Sequence, residues 1–140
     1  CIRDRVYTVF VDCSIINSDG NLLDATSYAV VAALLTSKFP IYEIKDEQVV
    51  DTGKTMPPPI TTMPVSITAV RIGESVLLDP TTEEEACMDA RITMTTQSDG
   101  NIVAVQKGFT GPFSVNQIVQ FSEIARIKGE EMRSKIKELN

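Results

Sequence analysis

The sequence predicts an α+β domain of two layers, a mainly antiparallel sheet with helices packed against it. Several short runs rich in β-branched residues are separated by turn signals such as Asp-Gly and Gly-Glu. Two helical patterns frame them, one alanine-rich near the start and one long and amphipathic at the end. With 140 residues, 43% of them hydrophobic, the chain has enough apolar material for one core.

"VYTVFVDCSII", Val6 to Ile16, has too few polar positions for a surface strand and reads as a largely buried one. "NSDGN" turns the chain. A helix then covers Ala25 to Leu35, with Asp24 as its expected N-cap and Phe39-Pro40 as its stop. Alanines at 25, 29, 32 and 33 suggest a helix lying close against a sheet. Short strands follow around "IYEI" and "QVV", joined by "KDE". "DTGKTMPPPITTMP" reads as an irregular surface connector, because consecutive prolines remove donors and fix φ.

"VSITAVRI" and "SVLL" form a hairpin around Gly73-Glu74, and "RITMTT" and "IVAVQKG" form another around "QSDGN". SDGN occurs twice, at Ser18–Asn21 and Ser98–Asn101, which turn chemistry explains without invoking duplication. The last helix runs from Ser114 to near Leu139, opened by a Ser114/Gln117 capping box. Its apolar face is Ile118, Phe121, Ala125, Met132, Ile136 and Leu139, and "KGEEMRSKIKE" carries its solvated face.

Composition removes several chemistries. The chain has no histidine, which excludes Ser-His-Asp and Cys-His systems, the HExxH helix and nearly all zinc catalysis within it. Cys1, Cys13 and Cys87 are too few and too irregularly spaced for a disulfide framework, and Cys13 reads as a small core residue. A reducing, cytoplasmic setting is the expectation. No apolar run approaches the roughly 18–20 residues of a bilayer span, so no membrane partner is expected. The net charge of −6 means that a partner must supply much of the positive field if nucleic acid is handled. Because it opens on Cys1 with no start signal, the chain is expected to be the C-terminal part of a longer protein, with residues 1–140 forming a single domain.

"DPTTEEEACMDARI" places Glu83, Glu84, Glu85 and Asp89 between two strands. Such a cluster can hold an acid or a metal, or can be a solvated loop. Glu83 and Glu84 read as a solvated edge, while Asp89 pairs with Arg91 or caps a turn. Arg91 reads as a structural ion-pair member or as an electrostatic contact to an anionic ligand such as phosphate. Lys107, in "VQKGFTG", is a second candidate for that contact, and the "GFTG" turn lacks the spacing of a nucleotide-binding loop.

The blocks "DGNLLDA", "LLDPTTEEEACMDARITM" and "GNIVAVQKG" resemble the RNase PH-like family, and most of all the non-catalytic RNase PH-type subunits of the archaeal exosome. The resemblance covers essentially the whole chain and corresponds to the second half of that fold, a two-layer sheet of the ribosomal protein S5 domain 2-like type. It implies phosphorolysis of RNA from the 3′ end. Catalytic members carry two aspartates after this strand, and those positions fall on Glu85 and Arg91 here; Asp89 would take the second after a two-residue slip. A guanidinium neither holds Mg²⁺ nor accepts a proton.

The resemblance therefore implies a non-catalytic, RNA-positioning subunit with no metal or cofactor of its own. Mg²⁺ and inorganic phosphate would belong to a catalytic RNase PH-like partner in a hetero-hexameric ring, with RNA-binding cap subunits and single-stranded RNA as further partners. The alternatives are an active phosphate-dependent exoribonuclease using Glu85 and Asp89, and a non-RNA interaction module sharing only the fold.

Overall fold

The computed structural model describes residues 7–46 and 48–139. Cys1, Val6 and Glu47, which figure in the expectations above, lie outside the described residues. The order is α1 (Leu22–Thr36), β1 (Phe39–Lys45), β2 (Gln48–Met56), β3 (Val65–Ile72), β4 (Ser75–Leu78), α2 (Thr82–Cys87), β5 (Ala90–Thr96), β6 (Ile102–Gly108) and α3 (Val115–Lys137). β1 and β2 pair as a two-stranded ribbon, while the main sheet has the order β4-β3-β5-β6, with every neighbour antiparallel.

Both expected hairpins form. Ile72 faces Ser75 across a two-residue turn, and β5 pairs with β6 from Arg91↔Gly108 to Thr96↔Ile102. The core lies on one face of the sheet, where Val65, Ile67, Ala69, Ile92 and Met94 meet Val31 of α1 and Phe121, Ala125 and Ile136 of α3. The Ser114/Gln117 capping box is present in both directions, with Ser114 N donating to Gln117 Oε1 at 2.8 Å.

Several expectations are corrected. Residues 7–16 are not a buried strand: they carry no regular structure, and Phe10 and Ile16 are 85% and 99% exposed. A strand needs a neighbour for its backbone donors, and none of the described strands pairs with this segment, which meets β1 through the Tyr7 side chain. Cys13, which falls within it, is exposed. Asn21, not Asp24, is the N-cap of α1. The stripe that meets the core is Tyr28, Val31, Ala32 and Leu35, whereas Ala25, Ala29 and Ala33 face a cleft along residues 11–17. β2 extends through "DTGKTM" to Met56, because the prolines act only from residue 57 onward; Thr52 Oγ1 donates to Ile41 O at 2.7 Å across the pair.

The end of α3 holds the largest surprise. Ile118 and Leu139 are exposed, and Arg133, read as part of the solvated face, is 1% exposed. Its Nη1 donates to Thr96 O at 2.9 Å and to Thr96 Oγ1 at 3.2 Å, and its Nε donates to Glu130 Oε2 at 2.8 Å. A buried guanidinium is tolerable only when paired and hydrogen-bonded in this way. Arg133→Ala would strip the Thr96 carbonyl of its donor and open a void, so it should lower the unfolding free energy by about 3 kcal/mol. Arg133→Lys should recover little, since an ammonium cannot reproduce the planar fork. Urea denaturation of the three proteins checks both outcomes.

Candidate functional site

β3 is longer than β4. β4 pairs only with Ala69–Ile72, so the edge of β3 from Val65 to Thr68 has no β4 partner. α1 takes that place. Asp24 Oδ2 accepts from Thr68 N at 2.8 Å, Asp24 Oδ1 accepts from Thr68 Oγ1 at 2.7 Å, and Tyr28 Oη donates to Ser66 O at 2.8 Å. The carboxylate and the phenol thus do for the free edge what a strand would do.

Asn21 joins this bond set to the acidic loop. It sits in the left-handed region, with φ 48°, directly after Gly20, whose φ is 89°. A Cβ at Gly20 would run into the Pro80 carbonyl, so only glycine lets the two loops touch. From there Asn21 N donates to Glu85 Oε1 at 3.1 Å, while its Nδ2 donates to Asp24 Oδ2 at 3.1 Å and Asp79 Oδ1 at 2.7 Å. α2 is held by its own capping box, in which Thr81 N donates to Glu84 Oε2 at 2.9 Å. Glu84 is therefore a capping residue, contrary to its reading as a plain solvated edge; Glu83 is exposed as expected.

Burial pushes the Asp24 carboxyl above its ordinary range, although the hydrogen bonds from Thr68 and Asn21 oppose the rise. Burial also pushes the Tyr28 phenol up, aided by Asp24 and Asp79, so it stays a donor. A cleft of about 240 Å³ opens beside these groups, lined by Asp79, Tyr28, Leu78, Lys128 and Met132 among others.

The expected site residues are dispersed. Glu85 is bound to the Asn21 backbone. Asp89 does not pair with Arg91: its Oδ2 accepts from Gly73 N at 2.8 Å and lies 3.6 Å from Arg71 Nη1, so it caps the β3–β4 turn. Arg91, at the start of β5, has no carboxylate within 4.0 Å among the described residues, which corrects the ion-pair reading. Its guanidinium lies 5.8 Å from the centre of the Phe109 ring, at cation–π distance. Lys107 Nζ donates to Phe109 O at 2.6 Å, which brings Arg91 and Lys107 to the same turn.

Glu85 and Arg91 do not fit a Mg²⁺ site. Glu85 Oε1 is already an acceptor for a backbone amide, and a guanidinium repels a cation. Sequence reasoning missed Asn21, Asp79 and Thr68 as network members and Phe109 as a neighbour of Arg91. The signal for the first was present in the "DGNLLDA" block, where an asparagine and an aspartate three residues apart were read as turn and cap.

An antiparallel sheet with helices packed on one face and an acidic loop after the second strand of a hairpin makes this a two-layer α+β domain. Models of the 3′ exoribonuclease family match twice, domain 1 over residues 2–40 and domain 2 over residues 62–128. The chain is 38% identical over 130 residues to "Exosome complex component Rrp42" of Thermococcus gammatolerans, covering 91% of this chain and 48% of the relative. Its structure resembles that of an archaeal exosome core subunit, with a TM-score of 0.75 and 31% identity over 87% of this chain and 47% of the other. It also resembles a chain of the Archaeoglobus fulgidus exosome with RNA bound to the active site, with a TM-score of 0.74 and 32% identity over 86% and 45% of the two chains. The chain belongs to the RNase PH-like 3′ exoribonuclease family. It spans about half the length of the relatives it matches.

The raised pKa of Asp24 has a direct consequence for stability. The folded state holds this proton more tightly than the unfolded chain, so the contribution of Asp24 is full below about pH 4, the ordinary carboxylate pKa, and is lost as pH rises through the higher folded value. Asp24→Asn should abolish that dependence, and the stability of the unsubstituted protein relative to the variant should fall with rising pH over this window. Asp24→Ala should cost about 2–3 kcal/mol below about pH 4, because it leaves the Thr68 amide without an acceptor, and less as pH rises through the same window. Urea midpoints of the three proteins across the acidic range measure both effects.

Proposed function

We propose that this chain acts as a ring subunit of a phosphorolytic 3′-to-5′ exoribonuclease, without activity of its own, holding single-stranded RNA for a catalytic RNase PH-type partner. The observation that carries the reading is Arg91. At the position where catalytic members of the family keep an aspartate, this chain presents a guanidinium laid against Phe109. Glu85, at the other aspartate position, is spent on the Asn21 amide, and Asp89 is spent on the Gly73 turn. The Arg91 guanidinium can neither accept a proton nor hold a metal there, and the two carboxylates each have one oxygen already engaged elsewhere.

The relatives named as exosome components and the likeness to exosome core structures support the choice of assembly. On this reading Mg²⁺ and inorganic phosphate bind at the partner's site, cap subunits bring RNA to the ring, and the chain contributes interface area and a few phosphate contacts, Arg91 and Lys107 among them. Its net charge of −6 fits a subunit that depends on a partner's positive field for affinity.

Incubated alone with poly(A), phosphate and Mg²⁺, the protein should release no nucleoside diphosphate. Mixed with a catalytic RNase PH-type partner, it should form a larger species by light scattering and raise phosphorolysis well above that of the partner alone. Activity of the chain by itself that disappears in Asp89→Asn would establish the active-enzyme alternative instead. A partner equally active without this chain would remove the ring-subunit reading.

A further inference from the structure

We infer that Phe109 is a stacking surface for a base of single-stranded RNA, with the Arg91 guanidinium on its ring and the Lys107 ammonium beside it; this rests on the RNA-positioning reading above. Phe109 is the residue that the β6–α3 turn puts on display. It is 56% exposed, although a phenylalanine gains most by burial, and it holds φ 63°, a left-handed conformation that bulky residues rarely adopt. Strain of this kind persists only where the surroundings enforce it, and it concentrates at ligand-binding turns.

The surroundings that enforce it are both cationic. Lys107 Nζ donates to Phe109 O at 2.6 Å and fixes the backbone of the turn. Arg91 reaches the ring by passing over Gly108, where a Cβ would stand only 3.4 Å from Nη2 and 3.5 Å from Nε. Most other arginines in the described residues are spent: Arg71 pairs with Asp89, Arg126 with Glu123 and Arg133 with Glu130. Arg91 and Lys107 have no such partner among the described residues.

An exposed aromatic ring flanked by two cations free of carboxylates is the chemistry that recognises single-stranded nucleic acid. The ring stacks on any base and the cations meet the phosphates, with no sequence reading required. A protein partner would gain from the ring by burying it, but would then have to desolvate two unpaired cations. An RNA strand supplies the counter-charge itself.

The chain has no tryptophan, so F109W introduces a single indole at this point. In the ring assembled with the catalytic partner, oligo(A) should quench the added fluorescence saturably, and an abasic oligomer of the same length should not. F109G, which also relaxes the left-handed turn, should weaken oligo(A) binding roughly 5- to 100-fold and leave abasic binding unchanged. A ring carrying F109G that assembles and binds oligo(A) as tightly as the unsubstituted one overturns the stacking role while leaving the RNA-positioning reading intact. Failure of F109G to assemble overturns it in favour of a subunit contact. An unsubstituted ring that binds no oligo(A) overturns both.

Discussion

The domain depends on one carboxylate. Asp24 is where helix, sheet and acidic loop meet: it satisfies the Thr68 amide and hydroxyl on the free edge of β3 and accepts the Asn21 amide that ties in Asp79. A free strand edge is an exposed template for further pairing, and a buried one with unmet donors is costly. Using a side chain from α1 for the purpose makes the position of the helix a consequence of the hydrogen-bond demand of the sheet. The cost is a buried carboxyl whose charged form is disfavoured, which three donated hydrogen bonds partly offset.

That arrangement explains the acidic loop. The loop after β4 is not free to be a disordered acidic edge, because the Asn21 amide grips Glu85 and the Asn21 side chain grips Asp79. With its short helix capped at Thr81 and Gly20 in direct contact with Pro80, the segment is as determined as the sheet beside it. A loop held this firmly can present catalytic groups with the sub-ångström precision that chemistry requires. Here the same scaffold presents Glu85 inward and leaves Arg91 at the strand beyond it. The scaffold is held by Asn21, Asp24 and Asp79, and it does not depend on Arg91, which makes no contact with that bond set.

Much of this was legible in the residues and part was not. The two hairpins and the capped C-terminal helix follow from local chemistry, namely Gly-Glu and Asp-Gly turns between β-branched runs and a Ser/Gln capping box. The family likeness singled out Glu85 and Arg91, and the structure sets them apart, Glu85 on the Asn21 amide and Arg91 against Phe109. What failed were inferences in which apolar character stood in for burial. Residues 7–16 have the composition of a core strand, yet no described strand pairs with them to make them one. Arg133 has the composition of a surface residue, yet Thr96 and Glu130 supply the partners that let it be buried. In both cases the deciding fact is a contact distant in sequence, which local pattern does not encode. Asp24 was found but misassigned for the same reason: an aspartate at a helix start is commonly a cap, and only the shortness of β4 gives it the edge of β3 instead.

Arg91 joins these strands of argument. An arginine at the start of β5, where the proposed reading places a family aspartate, would differ from it by two units of charge and would attract phosphate where the carboxylate attracts Mg²⁺. On an unconstrained surface such a side chain would be a freely moving cation of small consequence. Here Phe109 gives it a ring to lie against, at cation–π distance, which favours one position over the others. A cation so placed in an acidic chain is of use chiefly where another surface brings a polyanion within a Debye length, about 8–10 Å at ordinary salt. On the proposed reading, Arg91 would then gain its purpose from what stands next to it, a cation unfit for proton transfer but suited to a phosphate brought by a neighbour.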